Sequence, residues 1–165
     1  MSSDVSEPLP SQTALRIIVD DLSGPEVAAL LTQHLVEMYD NSPEDSAHAL
    51  DLDALRDPNV TLWSAWEGDE LAGCGALKQL DPRHGEIKSM RTATDRTGRG
   101  IASALLNHVI AEARARNYQR LSLETGASGY FTPAQRLYAR HGFDICAPFA
   151  DYVEDPHSVF MTRTL

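Results

Sequence analysis

Only two cysteines, Cys74 and Cys146, occur in 165 residues, too few for a disulfide framework. The pair reads as two small buried hydrophobes in a reducing compartment. Long apolar runs are missing as well. Charge or glycine interrupts each one well before the roughly 18 to 20 residues that a bilayer span requires, so no transmembrane segment and no membrane partner are expected. The first thirteen residues, MSSDVSEPLPSQT, lack both a basic start and an apolar centre. They read as a disordered tail rather than a secretory leader, and the expected location is the cytoplasm. Basic residues are in deficit, 14 against 24 acidic for a net charge of -10. That balance argues against nucleic acid, whose phosphates require a basic surface. Repeats are absent.

What is present fits one domain, residues 14–165, with 42% hydrophobic residues to supply a core. Charge is unevenly placed. Residues 1–57 hold 12 acids against Arg16 and Arg56 and so carry the whole excess, while 58–165 balance at 12 and 12. Residues 83–99 reverse the sign, with Arg83, Lys88, Arg91, Arg96 and Arg99 against Glu86 and Asp95. An anionic ligand would favour that stretch and a cationic acceptor the first third, although a solvated tail and helix face account for the acids equally well.

Along the chain, ALRIIV at 14–19 is β-branched and apolar and predicts a first strand. Ser23 is placed to cap a helix from about 24 to 40, with Val27, Leu30, Leu31, His34, Leu35 and Met38 at helical spacing. Ser42, Pro43 and Asp45 predict the start of a second helix reaching about Arg56. VTLWSAWE, a turn at Gly68 and Asp69, and ELAGCGALKQL predict a hairpin, which GEIKSMRT at 85–92 extends into a meander. Trp63 and Trp66 fall on opposite faces of their strand and read as packing residues. From 100 to 117 the apolar period becomes helical, at 101, 105, 109 and 113. LSLET at 121–125 predicts a strand, and Thr132, Pro133 and Gln135 a capping box for a short helix that Gly142 closes. Two strands are expected around 143–153 and 157–164. The order β-α-α-β-β-β-α-β-α-β-β implies a mixed α/β architecture with helices packed on one sheet.

The junction TDRTGRGIASALL is the most informative segment. Gly98 and Gly100 permit close approach of backbone to a ligand. The helix that begins there presents unpaired N–H groups carrying about half a positive charge, which suits phosphate. Arg96 and Arg99 flank the loop and can add charge-assisted contacts. Taken alone, two glycines before a helix describe an ordinary flexible turn.

TGRGIA at 97–102, with a strand before it and a helix after, resembles the acyl-CoA pyrophosphate loop of the GNAT N-acetyltransferase superfamily. PAQRLYARHGF at 133–143 is similar to that family's next signature, a short helix ending in L-Y and then G-F. The resemblance runs from about residue 14 to the carboxyl end. SPEDSAHALDLDALR, WSAWEGDELAGCGALK, GEIKSMRT, LSLETG and ADYVEDPHSVFMT look like a bacterial subgroup whose acceptor is poorly defined. Two positions depart from the pattern. The loop's first residue, usually Arg or Gln, is Thr97, and Phe131 replaces an Asn often found seven residues before the tyrosine.

The resemblance implies a GNAT acyl-CoA N-acyltransferase fold with a mostly antiparallel mixed sheet. It also implies that acetyl-CoA, with no metal, donates an acetyl group to a primary amine of a small molecule or peptide by direct attack. Cofactor binding is expected from Met90, Arg91 and Thr92 on the strand, from Thr97, Gly98, Arg99, Gly100, Ile101, Ala102 and Ser103 at the loop, and from Tyr138. Met90 and Thr92 would use their backbones, and an N–H of that strand would face the acyl carbonyl. Tyr138 is the expected acid for the leaving thiolate, with a satisfied core tyrosine as the plainer alternative. Glu86 is the candidate base, or a residue that holds the amine through water, with Glu124 as runner-up. His34, Met38, His48, Glu86, Glu124 and Thr125 are the candidate acceptor residues, and both histidines fit a structural role equally well. Oligomeric state stays open, a homodimer included.

Two other functions compete. A regulatory module that binds acetyl-CoA without turnover has the same fold, and Tyr138 is the argument for catalysis. A dinucleotide oxidoreductase ranks below both, because Ser103 stands where the third glycine belongs and the loop follows a meander.

Overall fold

The computed structural model describes residues 14–43 and 48–165. Seven strands form one sheet in the order β1-β2-β3-β4-β5-β7-β6. They are β1 (Leu15–Val19), β2 (Val60–Glu67), β3 (Glu70–Asp81), β4 (His84–Thr92), β5 (Arg120–Gly126), β6 (Asp144–Cys146) and β7 (Ser158–Thr164). Helices α1 (Pro25–Asn41), α2 (Ile101–Ala115) and α3 (Thr132–Arg140) complete the architecture. Every strand pairing is antiparallel except β4 with β5. That exception follows from the chain path, since α2 carries the chain back to start β5 alongside β4 in the same direction.

The hairpin and meander form where alternation and the Gly68 turn predict them. Gly68 takes φ 61°, which a two-residue hairpin turn requires. Each face of the sheet is covered by helix. On one side Val27, Leu30 and Leu31 of α1 pack with Leu55, Leu62, Cys74 and Ala76. On the other, Leu106, Val109 and Ile110 of α2 and Leu137 and Tyr138 of α3 pack with Trp63, Leu77, Ile87, Leu121 and Leu123. Full burial of each Leu or Ile in these layers is worth about 1.5–3 kcal/mol. The two tryptophans divide as expected, Trp63 joining the α2 side and Trp66 the α1 side.

Four expectations need correction. The helix predicted from 42 to 56 does not form over 48–53, where only a 3₁₀ turn at Ala54–Arg56 follows. Residues 44–47 of that stretch, including Asp45, lie outside the described residues. Its acids serve turns instead: Asp51 Oδ1 accepts from the N–H of Ala54 at 2.8 Å. Ser23 does not cap α1, because its hydroxyl donates to Asp21 and Gly24 takes the cap position. Thr132 and Gln135 form no capping box, since Gln135 Nε2 donates to the Gly126 carbonyl at 2.7 Å and ties α3 to the end of β5. The strand predicted over 143–153 is only Asp144–Cys146, and the chain beyond it folds over the sheet so that Phe149 packs edge-on and Tyr152 at a tilt against Phe160. An aromatic cluster outcompetes strand propensity there.

Candidate active site

The sheet opens where β4 and β5 part. They pair from His84↔Arg120 to Ile87↔Leu123 and no further, so the facing edges of Lys88–Thr92 and Glu124–Gly126 lack strand partners. A β-bulge contributes to the divergence. Gly75 of β3 faces both Ser89 and Met90 of β4, and Ser89 takes φ 56°, a region that non-glycine residues seldom enter. A Cβ on Gly75 would come 2.5 Å from Met90 Sδ, so the Met90 side chain lies over the glycine at the bulge.

Two cavities, of about 490 and 510 Å³, occupy this opening and share a wall. Met90, Arg91, Thr92, Thr97, Pro133, Ala134 and Tyr138 line both. The second cavity ends at the glycine loop. Gly98 and Gly100 have φ 80° and 81°, and no atom lies within 4 Å of where a Cβ would stand on either. Their requirement is therefore conformational. Gly100 is the N-terminal cap of α2 and supplies no side chain, leaving the first N–H groups of Ile101, Ala102 and Ser103 free for an anion. All three residues line this cavity.

The flanking arginines are arranged otherwise than the sequence suggested. Arg96 lines the cavity, but its guanidinium is committed to Glu67 at 2.9 Å and Glu70 at 2.6 Å, which pins the loop to the β2–β3 turn. Arg99 is half exposed and leans on Glu67 at 3.6 Å. The cations that sequence reading missed are Arg136 and Arg140, which reach the same cavity from α3. One helical turn separates them on one face, a spacing visible in the sequence.

Tyr138 is 7% exposed and lines both cavities. Among the described residues its hydroxyl has no hydrogen-bond partner, and burial raises its pKa well above the ordinary tyrosine range.

The first cavity holds the residues expected to meet the acceptor. His34 and Met38 enter it from α1, His48 from the segment after α1, and Glu124 and Thr125 from β5. His48 Nδ1 meets both oxygens of Glu124 at 2.7 Å, and Ser158 Oγ donates to Glu124 at 2.8 Å. Glu86 is not in this wall. It is 2% exposed, and its Oε2 accepts from Tyr152 Oη at 2.6 Å and from Lys88 Nζ at 3.1 Å. Tyr152 also accepts from Lys88 at 2.9 Å, and burial followed by the Glu86 charge raises its pKa. Lys88 itself does line the cavity.

Across the cavity mouth Arg91 donates to Glu37 Oε2 at 2.9 Å, and Tyr130 donates to Glu37 Oε1 at 2.8 Å. The Arg91 hydrogen bond is the main reason Glu37 falls to about 2. His34, 8% exposed, drops to about 4, chiefly through burial and secondarily through the Arg91 charge. Ser89, Tyr130, Tyr152 and Ser158 carry no local sequence signal, because only the bulge and the chain crossings bring them here.

These features agree with comparisons to known proteins. The family model for the acetyltransferase (GNAT) family matches residues 28–143. The chain is 58% identical over 151 residues to the uncharacterised N-acetyltransferase YsnE of Bacillus subtilis, covering 92% of this chain and all of that one. It is 54% identical to the uncharacterised N-acetyltransferase YedL of Escherichia coli, over 90% of this chain and 94% of that one. A GNAT family acetyltransferase from Elizabethkingia anophelis, solved with acetyl-CoA bound, superposes with a TM-score of 0.66 at 22% identity, covering 92% and 98% of the two chains. The chain belongs to the acetyltransferase (GNAT) family, and its open seven-stranded sheet is the acyl-CoA N-acyltransferase fold.

Proposed function

We propose that the protein transfers an acetyl group from acetyl-CoA to the primary amine of a small molecule by direct attack. One observation carries this reading. The glycine loop and the acceptor cavity are two ends of a single cleft, and the unpartnered Tyr138 hydroxyl lies where they meet.

The residues present fit the donor. Free N–H groups at the start of α2 and the Arg136 and Arg140 guanidiniums suit its phosphates. The unpaired edges of β4 and β5 suit the amide-bearing arm, with backbone groups of Met90 and Thr92 as partners. Acetyl-CoA supplies the acetyl thioester and the thiolate leaving group. Tyr138 Oη gives its proton to the departing sulfur, and an N–H at the β4 bulge receives the carbonyl oxygen as it gains charge.

The base is assigned to His48. Its Nδ1–H is held by Glu124, itself fixed by Ser158, so Nε2 carries the free lone pair. Nε2 takes the proton that the amine sheds as its nitrogen bonds to the acetyl carbon. Glu86, the base that the sequence suggested, instead orients Lys88 through a charge-assisted bond within the sheet.

Thiol release from acetyl-CoA across an amine panel tests the proposal, with the acetylated amine identified by mass. Tight acetyl-CoA binding with no turnover on any amine would favour the regulatory module. A cytoplasmic location and a monomer or homodimer are compatible with this reading.

A further inference from the structure

Resting on the acetyl-transfer reading above, a narrower conclusion about the acceptor follows from what the cavity wall leaves unpaired. Among the described residues three buried side-chain polar atoms have no hydrogen-bond partner: His34 Nδ1, Ser89 Oγ and Arg91 Nε. All three residues line the acceptor cavity. Leaving such atoms unpaired is costly in a folded protein, and three of them around one cavity mark a place for a polar ligand group. All three atoms can act as donors at once. A guanidinium nitrogen can only donate, and a hydroxyl and a neutral imidazole each have a hydrogen to offer. The low pKa of His34 keeps it neutral, with one N–H, at ordinary pH.

Charge points the same way. The wall contains Lys88 and Arg91 against Glu37 and Glu124. Glu37 is already taken by Arg91, Tyr130 and Gln33. Lys88 and Arg91 are themselves paired with Glu86 and Glu37, so the wall is close to neutral and offers a polyamine or other polycation no surplus of negative charge. The cavity of about 490 Å³ must also admit the acetyl end of the donor, which leaves room for a small acceptor.

We propose that the acceptor is a small amino acid or a close analogue, its carboxylate received by His34, Ser89 and Arg91 and its amine directed at His48. All three orphaned atoms are buried in the wall, so this reading requires Ser89 to turn about χ1 and His34 about χ2 as the carboxylate enters. A carboxylate, with two oxygens and no hydrogen, is the common small group that three donors can satisfy at once.

The test compares matched pairs at saturating acetyl-CoA: alanine with ethylamine, leucine with isoamylamine, phenylalanine with phenethylamine, and spermidine as the polycation. The expected result is at least one amino acid with kcat/KM about 100-fold or more above its decarboxylated partner, because a site built of buried donors strongly rejects an analogue that leaves them unpaired. Ser89→Ala and His34→Ala should each narrow that gap about 10-fold, mainly through KM for the amino acid. Acetyl-CoA-induced thermal stabilisation serves as the folding control. Should His34→Ala fail to fold, Ser89→Ala, which deletes one oxygen and creates almost no void, carries the test. Turnover of amines with no advantage for the carboxylate-bearing partner, or an advantage that both variants leave intact, overturns this proposal and leaves acetyl transfer standing. Acetyl-CoA binding with no turnover of any acceptor removes the acetyl-transfer reading itself.

Discussion

Replacing His34 with leucine should remove a definite part of the protein's sensitivity to acid. In the folded chain the imidazole titrates at about 4 instead of 6.5, because burial penalises the cation and the Arg91 guanidinium repels it, with Glu37 opposing in part. Glu37 titrates at about 2, so it stays ionised throughout the relevant window. The sign follows from proton counts. Between pH 6.5 and about 4 the unfolded chain binds a proton at this site and the native chain does not, so stability falls as pH falls through that window. The full shift corresponds to about 3 kcal/mol, of which about 2 kcal/mol should already be lost at pH 4.5. Urea unfolding at pH 7.0 and 4.5, followed by the fluorescence of Trp63 and Trp66, measures this directly. The expected outcome is a drop in unfolding free energy between the two pH values about 2 kcal/mol smaller in His34→Leu than in the parent. The variant's absolute stability does not enter, since only the difference between pH values is read. Parallel pH dependences in the two proteins would refute the burial argument and with it the neutral imidazole in the acceptor wall.

Other perturbations separate the parts of the cleft. Tyr138→Phe removes a hydroxyl with no protein partner, so thermal stability should hold within about 0.5 kcal/mol while kcat falls about 100-fold. An equally active variant would exclude the acid role. His48→Gln should lower kcat by a similar factor with acetyl-CoA affinity unchanged, and Glu124→Gln by a smaller one. If Glu86→Gln removes kcat and His48→Gln does not, the base is assigned to the wrong residue. Gly100→Ala places a Cβ in open space but in a left-handed conformation that costs about 1–2 kcal/mol. Acetyl-CoA binding measured by calorimetry should weaken about 10-fold, whereas affinity equal to the parent would show that the loop does not hold the phosphates. Gly126→Ala should be more damaging, because the new Cβ would collide with the Phe131 ring. It should lower the melting temperature by several degrees, and an unchanged midpoint would show that this packing is slack.

Much of this protein was legible from local pattern. The β2–β3–β4 meander follows from alternation and one hairpin turn, and α2 follows from a helical apolar stripe. The loop proposed for the donor follows from two glycines at a strand–helix junction. Each depends on neighbours within a few residues, which is the range over which backbone geometry and hydrophobic period operate. The second helix was misread for the same reason. Its capping signals are local, but Leu50, Leu52 and Leu55 pack against α1 and β2 from an extended and 3₁₀ path.

The choice between Glu86 and Glu124 was not local. Both lie on strands beside the cleft and both are carboxylates. Glu86 sits opposite Ser122 inside the last paired stretch of β4 and β5, whereas Glu124 falls one step past the final pair, where the strands have separated. The distance between two strands depends on the bulge at Ser89 and on the layers packed over them, so which carboxylate meets the cavity is a property of the assembled sheet. Residue order alone determined the glycine loop and helix start proposed to cradle the donor, since their parts are adjacent in the chain. Only the tertiary structure decided what faces it across the cleft, because His34, His48, Ser89, Arg91 and Glu124 become neighbours through packing.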